Sequence, residues 1–534
     1  MKKSITRPFL ALMLVSAFTA AVFAQTTTPV ERHGQLKIVG NQVLDKNDQP
    51  VQLRGMSLYW SMGAGTPTAG SFYNADVVKY LRDDWGASLV RAAMGIEVKW
   101  GQGNDQAGYL NGDNSAGVSN KTRVTNLVDG AIQHGMYVII DWHSHNSNNY
   151  QQQAIAFFQE MATAYKNYPN VIYEIFNEPE SQAWATVIKP YAQALVDAIR
   201  AIDPNNLILI GTRQWCQQPF EAASNPVNGE HLAYVMHFYA ATHKESLRND
   251  TFRALRLNKA VFVSEFGTVS ASGGGAPDLA SSDIWMDFMD QFKLSWANWS
   301  LSAINETSAA LNPSGTSVTP GVNGANWDNQ LTASGAYIRN RLKTPPKPST
   351  EKSFYALTVD VIGSGNVYQG TAGTTNPNQV FYKGKSDTTL TLRAVFPSPQ
   401  GDWTFTGWEV NGVNKGNALT LPITTGGSAD VAVKATFHSP TSTLPAVSGS
   451  KTTQWSAKMV SGGIVLRGPE AGIAEIALYD MRGKQIGKFL RSAGANGQSI
   501  TINNFKIPAG NYIMAVKDKV SNKEVYRTKI SLVK

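Results

Sequence analysis

Eight short apolar runs recur between residues 53 and 301, separated by longer segments whose apolar residues return at helical spacing. The runs are Leu53–Met56, Ser88–Met94, Met136–Trp142, Val171–Phe176, Leu207–Gly211, Tyr234–Phe238, Val261–Ser264 and Trp296–Leu301. Helical spacing marks Ala75–Trp85, Lys121–His134, Gln152–Lys166, Ser181–Ile202 and Ser281–Lys293. Strand–helix alternation of this kind predicts a parallel sheet. Eight units in roughly 300 residues suit closure into a (β/α)8 TIM barrel. An open doubly wound sheet would want a Gly-rich phosphate-binding turn after its first strand. Gly63-Ala64-Gly65 is not followed by that fingerprint, so the closed α/β barrel is expected over 30–343.

At 534 residues the chain is too long for one core, and its remainder divides by composition. Residues 1–24 carry Lys2, Lys3 and Arg7, an apolar stretch and a small-residue end before Gln25, the pattern of a secretory leader. No other stretch approaches the ~20 apolar residues of a membrane span, so an exported protein without a span is expected. Residues 344–351 form a proline-rich linker. Residues 352–438 alternate at period two with Gly-rich turns, 439–450 are a second linker, and 451–534 repeat the strand pattern. Two small all-β domains are therefore expected after the barrel. A single cysteine, Cys216, excludes an internal disulfide. The net charge of +8 is concentrated in 449–534, where 14 Lys/Arg face 5 Asp/Glu. Basicity confined to one terminal module does not suggest nucleic-acid binding by the barrel, although it suits an acidic surface or a solvated face.

Two of the runs close on acids: Val171-Ile-Tyr-Glu174-Ile-Phe-Asn177-Glu178 and Val261-Phe-Val-Ser264-Glu265. A carboxylate that leaves water without a partner is costly, so two such ends suggest paired carboxylates aimed into one cleft. The other strand ends, which face the active site of such a barrel, are polar or aromatic. They supply Arg91, His143 with His145, Asn177, Trp215, His237 with Tyr239, and Trp299. Singly, each has a structural explanation; together they line one end of consecutive strands. Paired carboxylates cleave glycosidic bonds, one protonating the leaving oxygen while the other attacks the anomeric carbon in retaining enzymes. The acid then needs a raised pKa and the nucleophile must stay ionised. His237 and Tyr239 lie two apart on a strand, hence on one face. Asn177 can bond a sugar 2-hydroxyl, and Trp299, Trp215 and Trp60 offer flat faces for pyranose C–H groups.

These motifs resemble a known family. Arg54-Gly-Met-Ser, Val90-Arg91, Asp141-Trp-His143, Ile175-Phe-Asn177-Glu178-Pro179, Met236-His237-Phe-Tyr239, Ser264-Glu265-Phe-Gly267 and Trp296-Ala-Asn-Trp299-Ser are similar to the bacterial endoglucanases of glycoside hydrolase family 5. The resemblance implies a retaining, secreted endo-β-1,4-glucanase acting on cellulose or β-glucan, with no metal and no cofactor. It places the acid/base on Glu178 and the nucleophile on Glu265, with Arg91, His143, Asn177, His237 and Tyr239 around them. It implies sugar contacts at Trp60, Trp215, Trp299, His145 and Glu306. Relatives commonly carry an Asp-Lys pair before Asn-Glu-Thr-Ser-Ala, where this chain has Ala303-Ile304 before Asn305-Glu306, so glucan preference is open. A mannanase or mixed-linkage glucanase on the same scaffold is the alternative; a non-catalytic glycan binder has no need for the constellation. A monomer is expected. Residues 352–438 resemble an internalin-type β-repeat, acting as a spacer or presenting Trp403, Trp408, Tyr368 and Tyr382 to glycans. Residues 451–534 resemble the terminal sorting or surface modules of fibre-degrading bacteria, through Leu478-Tyr-Asp-Met-Arg-Gly and Ile507-Pro-Ala-Gly-Asn-Tyr.

Overall fold

In the computed structural model, the eight apolar runs are eight parallel strands closed into a barrel. They are β1 (Arg54–Leu58), β2 (Leu89–Gly95), β3 (Tyr137–His143), β4 (Val171–Glu174), β5 (Leu207–Ile210), β6 (Leu232–Tyr239), β7 (Val261–Gly267) and β8 (Trp296–Leu301), which pairs back with β1. The described residues are 27–62, 69–97, 107–112, 117–313, 327–348, 350–363, 365–369, 380–384, 388–396, 403–425 and 429–438, with the strands of 456–532. The leader 1–24, Gly63–Gly65 and the linker 439–450 lie outside them. Among the described residues no helix is long and apolar enough to cross a membrane.

The surrounding helices are α1 (Ala75–Tyr80), α2 (Asn120–Gln133), α3 (Gln151–Tyr165), α4 (Lys189–Arg200), α5 (Pro219–Ser224), α6 (Glu245–Arg256), α7 (Leu279–Phe292) and α8 (Ala333–Lys343). Asn74, Ser119, Asp278 and Thr332 cap four of them, each side-chain oxygen accepting a backbone N–H of the first turn. The sequence reading did not single out α6 or α8. In α6 the buried face includes Arg248 and Thr251 beside Leu247, Phe252 and Leu255, which blurs the apolar stripe.

Inside the barrel, alternate residues of each strand point inward. Leu89, Ile139, Ile172, Val235 and Phe262 belong to an apolar lower layer. Two residues further along the same strands the inward positions turn polar: Arg91, Asp141, Glu174, His237 and Ser264, all buried. Strand β7 then breaks its own alternation. Val235 pairs with Phe262 but His237 with Glu265, and on the other side Trp296 pairs with Val263 but Asn298 with Phe266. Strand β7 thus carries one more residue than either neighbour, a β-bulge that re-aims a side chain. Both Ser264 and Glu265 are consequently turned toward the polar layer.

At the opposite end, Arg54 donates to the carbonyls of Arg341, Leu342 and Thr344, which end α8 without helical partners. Beside it, any Cβ on Gly55 would collide with the Leu89 carbonyl, so the β1–β2 approach requires glycine.

The chain divides at Pro440/Thr441 into two compact units. In the first, residues 354–438 form a five-stranded and a three-stranded sheet around a core that includes Leu357, Leu392, Phe405, Trp408, Val433 and Phe437. Trp408 is 2% exposed and its indole donates to the Ala418 carbonyl, so it is core and presents no glycan-binding face. Trp403 is partly buried against the same core, and Tyr368 lies under the Arg393 guanidinium; the side chain of Tyr382 lies outside the described residues. The proline-rich segment leading to these sheets is bonded to α7. Asp290 accepts from the Lys347 N–H, Asp287 pairs with its ammonium at 2.6 Å, and Gln291 accepts from the backbone N–H groups of Ser353 and Phe354. Phe354 is buried with the barrel's helices, edge-on to Phe288 at 5.7 Å. The second unit contains a three-stranded and a four-stranded antiparallel sheet, the latter ordered Gln485–Ser492, Ile473–Tyr479, Gly510–Asp518, Glu524–Leu532.

Candidate active site

Arg91 is the hub of the polar layer. Its guanidinium is fully buried and donates to Glu174 at 2.7 Å, to Glu265 at 2.9 Å and to Asn177 at 2.6 Å, and pairs with Asp141 at 2.9 Å. Burial opposes its charge, but the surrounding carboxylates outweigh that and hold its pKa well above the ordinary value. Because arginine only donates, the Asn177 carbonyl oxygen is fixed toward it, and the amide protons are what Asn177 can offer a ligand.

The Glu265 carboxylate lies above Arg91. One oxygen accepts from the guanidinium; the other accepts from the Tyr239 hydroxyl at 2.8 Å. Burial, reinforced by the charge of Glu265, keeps that phenol well above its usual pKa and therefore protonated as a donor. Glu178 faces Glu265, with one oxygen of each and a His237 nitrogen all within 4.8 Å of one another. Among the described residues these three groups could offer ligands to a cation, but each already bonds within the protein and Arg91 stands against a further positive charge.

Glu178 lies between two imidazoles. His237 Nδ1 is 2.8 Å from one oxygen and His145 Nε2 is 3.3 Å from the other. Burial would raise this carboxyl, but the bonds from His145 and His237 outweigh it and hold it below the usual carboxylate range. The expected raised pKa is thus not met in the free protein. The proton sits on the partners instead: burial pushes both histidines down, yet carboxylate contacts raise each to about 9. His145, expected to touch sugar, has its second nitrogen 3.2 Å from Glu180, so both ring nitrogens are turned to carboxylates.

His143 bonds Asp141 at 2.6 Å and is stacked parallel to Trp299 at 5.3 Å, with Trp60 edge-on at 4.6 Å. Burial, aided by Arg91, lowers His143 to about 3, so it is a neutral imidazole. Trp299 also meets Tyr59, and Ile304 packs against this aromatic group. Glu306 lies beside Gly273, filling the space a Cβ there would need. On the other side, a cleft of about 350 Å³ is lined by Glu178, His237, Tyr239, Trp215, Gln217 and His243. Trp215, 46% exposed, stands on three successive left-handed residues, Gln214, Trp215 and Cys216. Backbone bonds from Gln214 and Trp215 to the carbonyls of Glu180 and Pro179 hold that turn against the acid-bearing loop.

Sequence reasoning missed Glu174, Ser264 and His243. Glu174 accepts from Arg91 and from the Ser264 hydroxyl at 2.6 Å, and Ser264 also meets His237 Nε2 at 2.9 Å. The signal available was the even spacing of Glu174 from Glu178. His243 accepts from the Tyr239 N–H through Nδ1 at 2.8 Å.

Residues 44–305 match the family model of the cellulases, glycosyl hydrolase family 5. The chain is 40% identical over 382 residues to an endoglucanase of Clostridium saccharobutylicum, covering 68% of this chain and 80% of that protein. It is 44% identical over 284 residues to endoglucanase Z of Dickeya dadantii, covering 53% and 63%. Among solved structures it is similar to the catalytic domain of a Thermobifida fusca endoglucanase in complex with cellotetraose, at 33% identity and a TM-score of 0.52, covering 60% of this chain and all of that one.

Proposed function

The chain belongs to glycosyl hydrolase family 5, the cellulases, and from that premise we propose that its barrel is a retaining endo-β-1,4-glucanase with Glu265 as nucleophile and Glu178 as acid/base. The observation that carries the assignment is the pair of carboxylates with oxygens within 4.8 Å of each other, bonded to different partners. That separation suits direct attack by one carboxylate, because inverting pairs stand about 6.5–9.5 Å apart to admit a water. Glu265 accepts from Arg91 and Tyr239, which leaves its charge aimed at the anomeric carbon. Attack by Glu265 breaks the bond to the leaving oxygen, which takes its proton from Glu178. Water then gives a proton back to Glu178 and displaces the sugar from Glu265. Asn177 offers its amide to the 2-hydroxyl, a contact that strengthens in the transition state. Trp299, Trp60 and Trp215 offer faces for sugar rings on either side of the cleavage point.

Glu265→Gln abolishes hydrolysis of carboxymethylcellulose while leaving the fold intact by circular dichroism; near wild-type turnover by that variant would sink the nucleophile assignment. Glu178→Ala lowers kcat about 10²–10⁴-fold on unactivated glucans, and far less on dinitrophenyl glycosides, whose leaving group needs no proton. Retention of anomeric configuration by NMR, with rates on lichenan and mannan compared, tests the stereochemistry and the linkage preference. We further infer that residues 1–24 direct export, that 352–438 is a β-repeat spacer, and that the basic 451–534 module serves sorting or surface attachment. N-terminal sequencing of the exported protein, expected to begin at Gln25, tests the first of these.

A further inference from the structure

The Glu178–His237 contact poses a proton-counting problem that two residues outside the named machinery resolve. Arg91 donates to both oxygens of Glu174, at 2.7 and 3.3 Å. Burial would raise the Glu174 carboxyl, but the Arg91 charge outweighs it and lowers it to about 2, so Glu174 is an acceptor only. The Ser264 hydroxyl, 2.6 Å away, gives its one proton to that carboxylate. What Ser264 presents to His237 Nε2, at 2.9 Å, is then a lone pair, and Nε2 must carry hydrogen. The neutral form of His237 can only be the Nε2–H tautomer. Its Nδ1 faces Glu178 across 2.8 Å, and one proton occupies that contact, on the imidazole or on the carboxyl.

We propose that Ser264, held by Glu174, is a positioning residue that fixes the His237 tautomer and makes the Glu178–His237 contact the store of the general acid's proton. The proposal rests on Glu178 being the acid/base. At rest the proton lies on Nδ1. As the bond to the leaving oxygen stretches, it passes from Nδ1 to Glu178, and Glu178 delivers a proton to that oxygen. When water attacks the glycosyl-enzyme, its proton returns to Glu178 and is shared again with Nδ1. No proton is gained or lost over the cycle. The bulge in β7 makes the device possible, because it turns the nucleophile and its preceding serine toward the same layer.

Other titratable groups face this pair. Asp141 from β3, Glu174 from β4 and Glu265 from β7 act on His237, while His145, backed by Glu180, and Tyr239 act on Glu178. Among the described residues the Ser264 hydroxyl bonds Glu174 and His237 and not His145, so its replacement leaves the His145 side of Glu178 in place.

The test compares Ser264→Ala and Ser264→Thr with the parent on an unactivated cello-oligosaccharide and on a dinitrophenyl cellobioside. Without an acceptor at Nε2, the charged imidazole is less favoured and its proton leaves at lower pH. Ser264→Ala is therefore expected to lose on the order of tenfold in kcat on the oligosaccharide, part of the about 10²–10⁴-fold that proton transfer supplies. KM should stay nearly constant, the alkaline limb of kcat/KM should move to lower pH, and the dinitrophenyl substrate should show little loss. Ser264→Thr, which keeps the hydroxyl, should restore rate and limb. Equal losses on both substrates, or an unmoved alkaline limb, would overturn the proposal. Glu178→Ala run beside them separates the two failures. If it shows the leaving-group dependence and Ser264→Ala does not, only the positioning role falls; if it shows none, the acid assignment falls and takes the proposal with it.

Discussion

Glu178 is flanked by imidazoles rather than by an apolar wall, and this sets the charge state of the free site. His237 is raised to about 9 by Glu174 and Glu178 against the opposing effect of burial. A group whose pKa rises on folding stabilises fully below its unfolded value of about 6.5 and loses that contribution as pH climbs through its folded value. Melting temperature is accordingly expected to fall between about pH 6.5 and 9.5, and His237→Gln should flatten that slope in a calorimetric series; an unchanged slope would show that His237 is not charged in the folded protein. At the rim, Trp215→Ala removes a stacking face worth about 1 kcal/mol. It should raise KM several-fold with kcat nearly unchanged, because such contact binds ground and transition states alike. Glu178, Glu265, His143 and Tyr239 were legible beforehand because each follows closely on an apolar run. Glu174 stands inside its run and Ser264 directly before the acid Glu265, and the sequence shows no partner for either. That Glu180 and Glu178 bracket His145 was likewise not visible in the sequence.

Among the elements, all eight strands were legible because each is a short, predominantly apolar run, as a strand covered on both faces requires. The bulge in β7 was not, since an extra residue is defined only by the register of two neighbours distant in sequence. The helix α8 was hidden for a related reason: part of what secures it is Arg54, 287 positions from the carbonyl it bonds in Arg341. Arg54→Ala leaves three helix-end carbonyls without their donor. Charged hydrogen bonds contribute about 1.5–3 kcal/mol, so a loss of that order in urea-unfolding free energy is expected, with kcat unchanged because Arg54 lies at the end of the barrel away from the carboxylates. A kcat loss equal to the stability loss would show that the two ends of the barrel are coupled.

On the scale of the whole molecule, the segment joining barrel and first β-module is docked on the barrel's helices. The proline-rich run reads as a spacer, yet Asp287, Asp290 and Gln291 of α7 bond it and Phe354 is buried among the barrel's own helices. Burying a phenylalanine contributes about 1.5–3 kcal/mol. A chain ending at 343 should therefore melt several degrees below one ending at 440, with activity per folded molecule unchanged; equal melting temperatures would show that the docking contributes nothing. For anyone grafting accessory modules onto this enzyme, the splice point follows from the same aromatic. A fusion joined at the prolines discards a plug that the catalytic half expects to receive, whereas one joined beyond Phe354 transfers the plug with its socket and frees the remaining sheets for exchange.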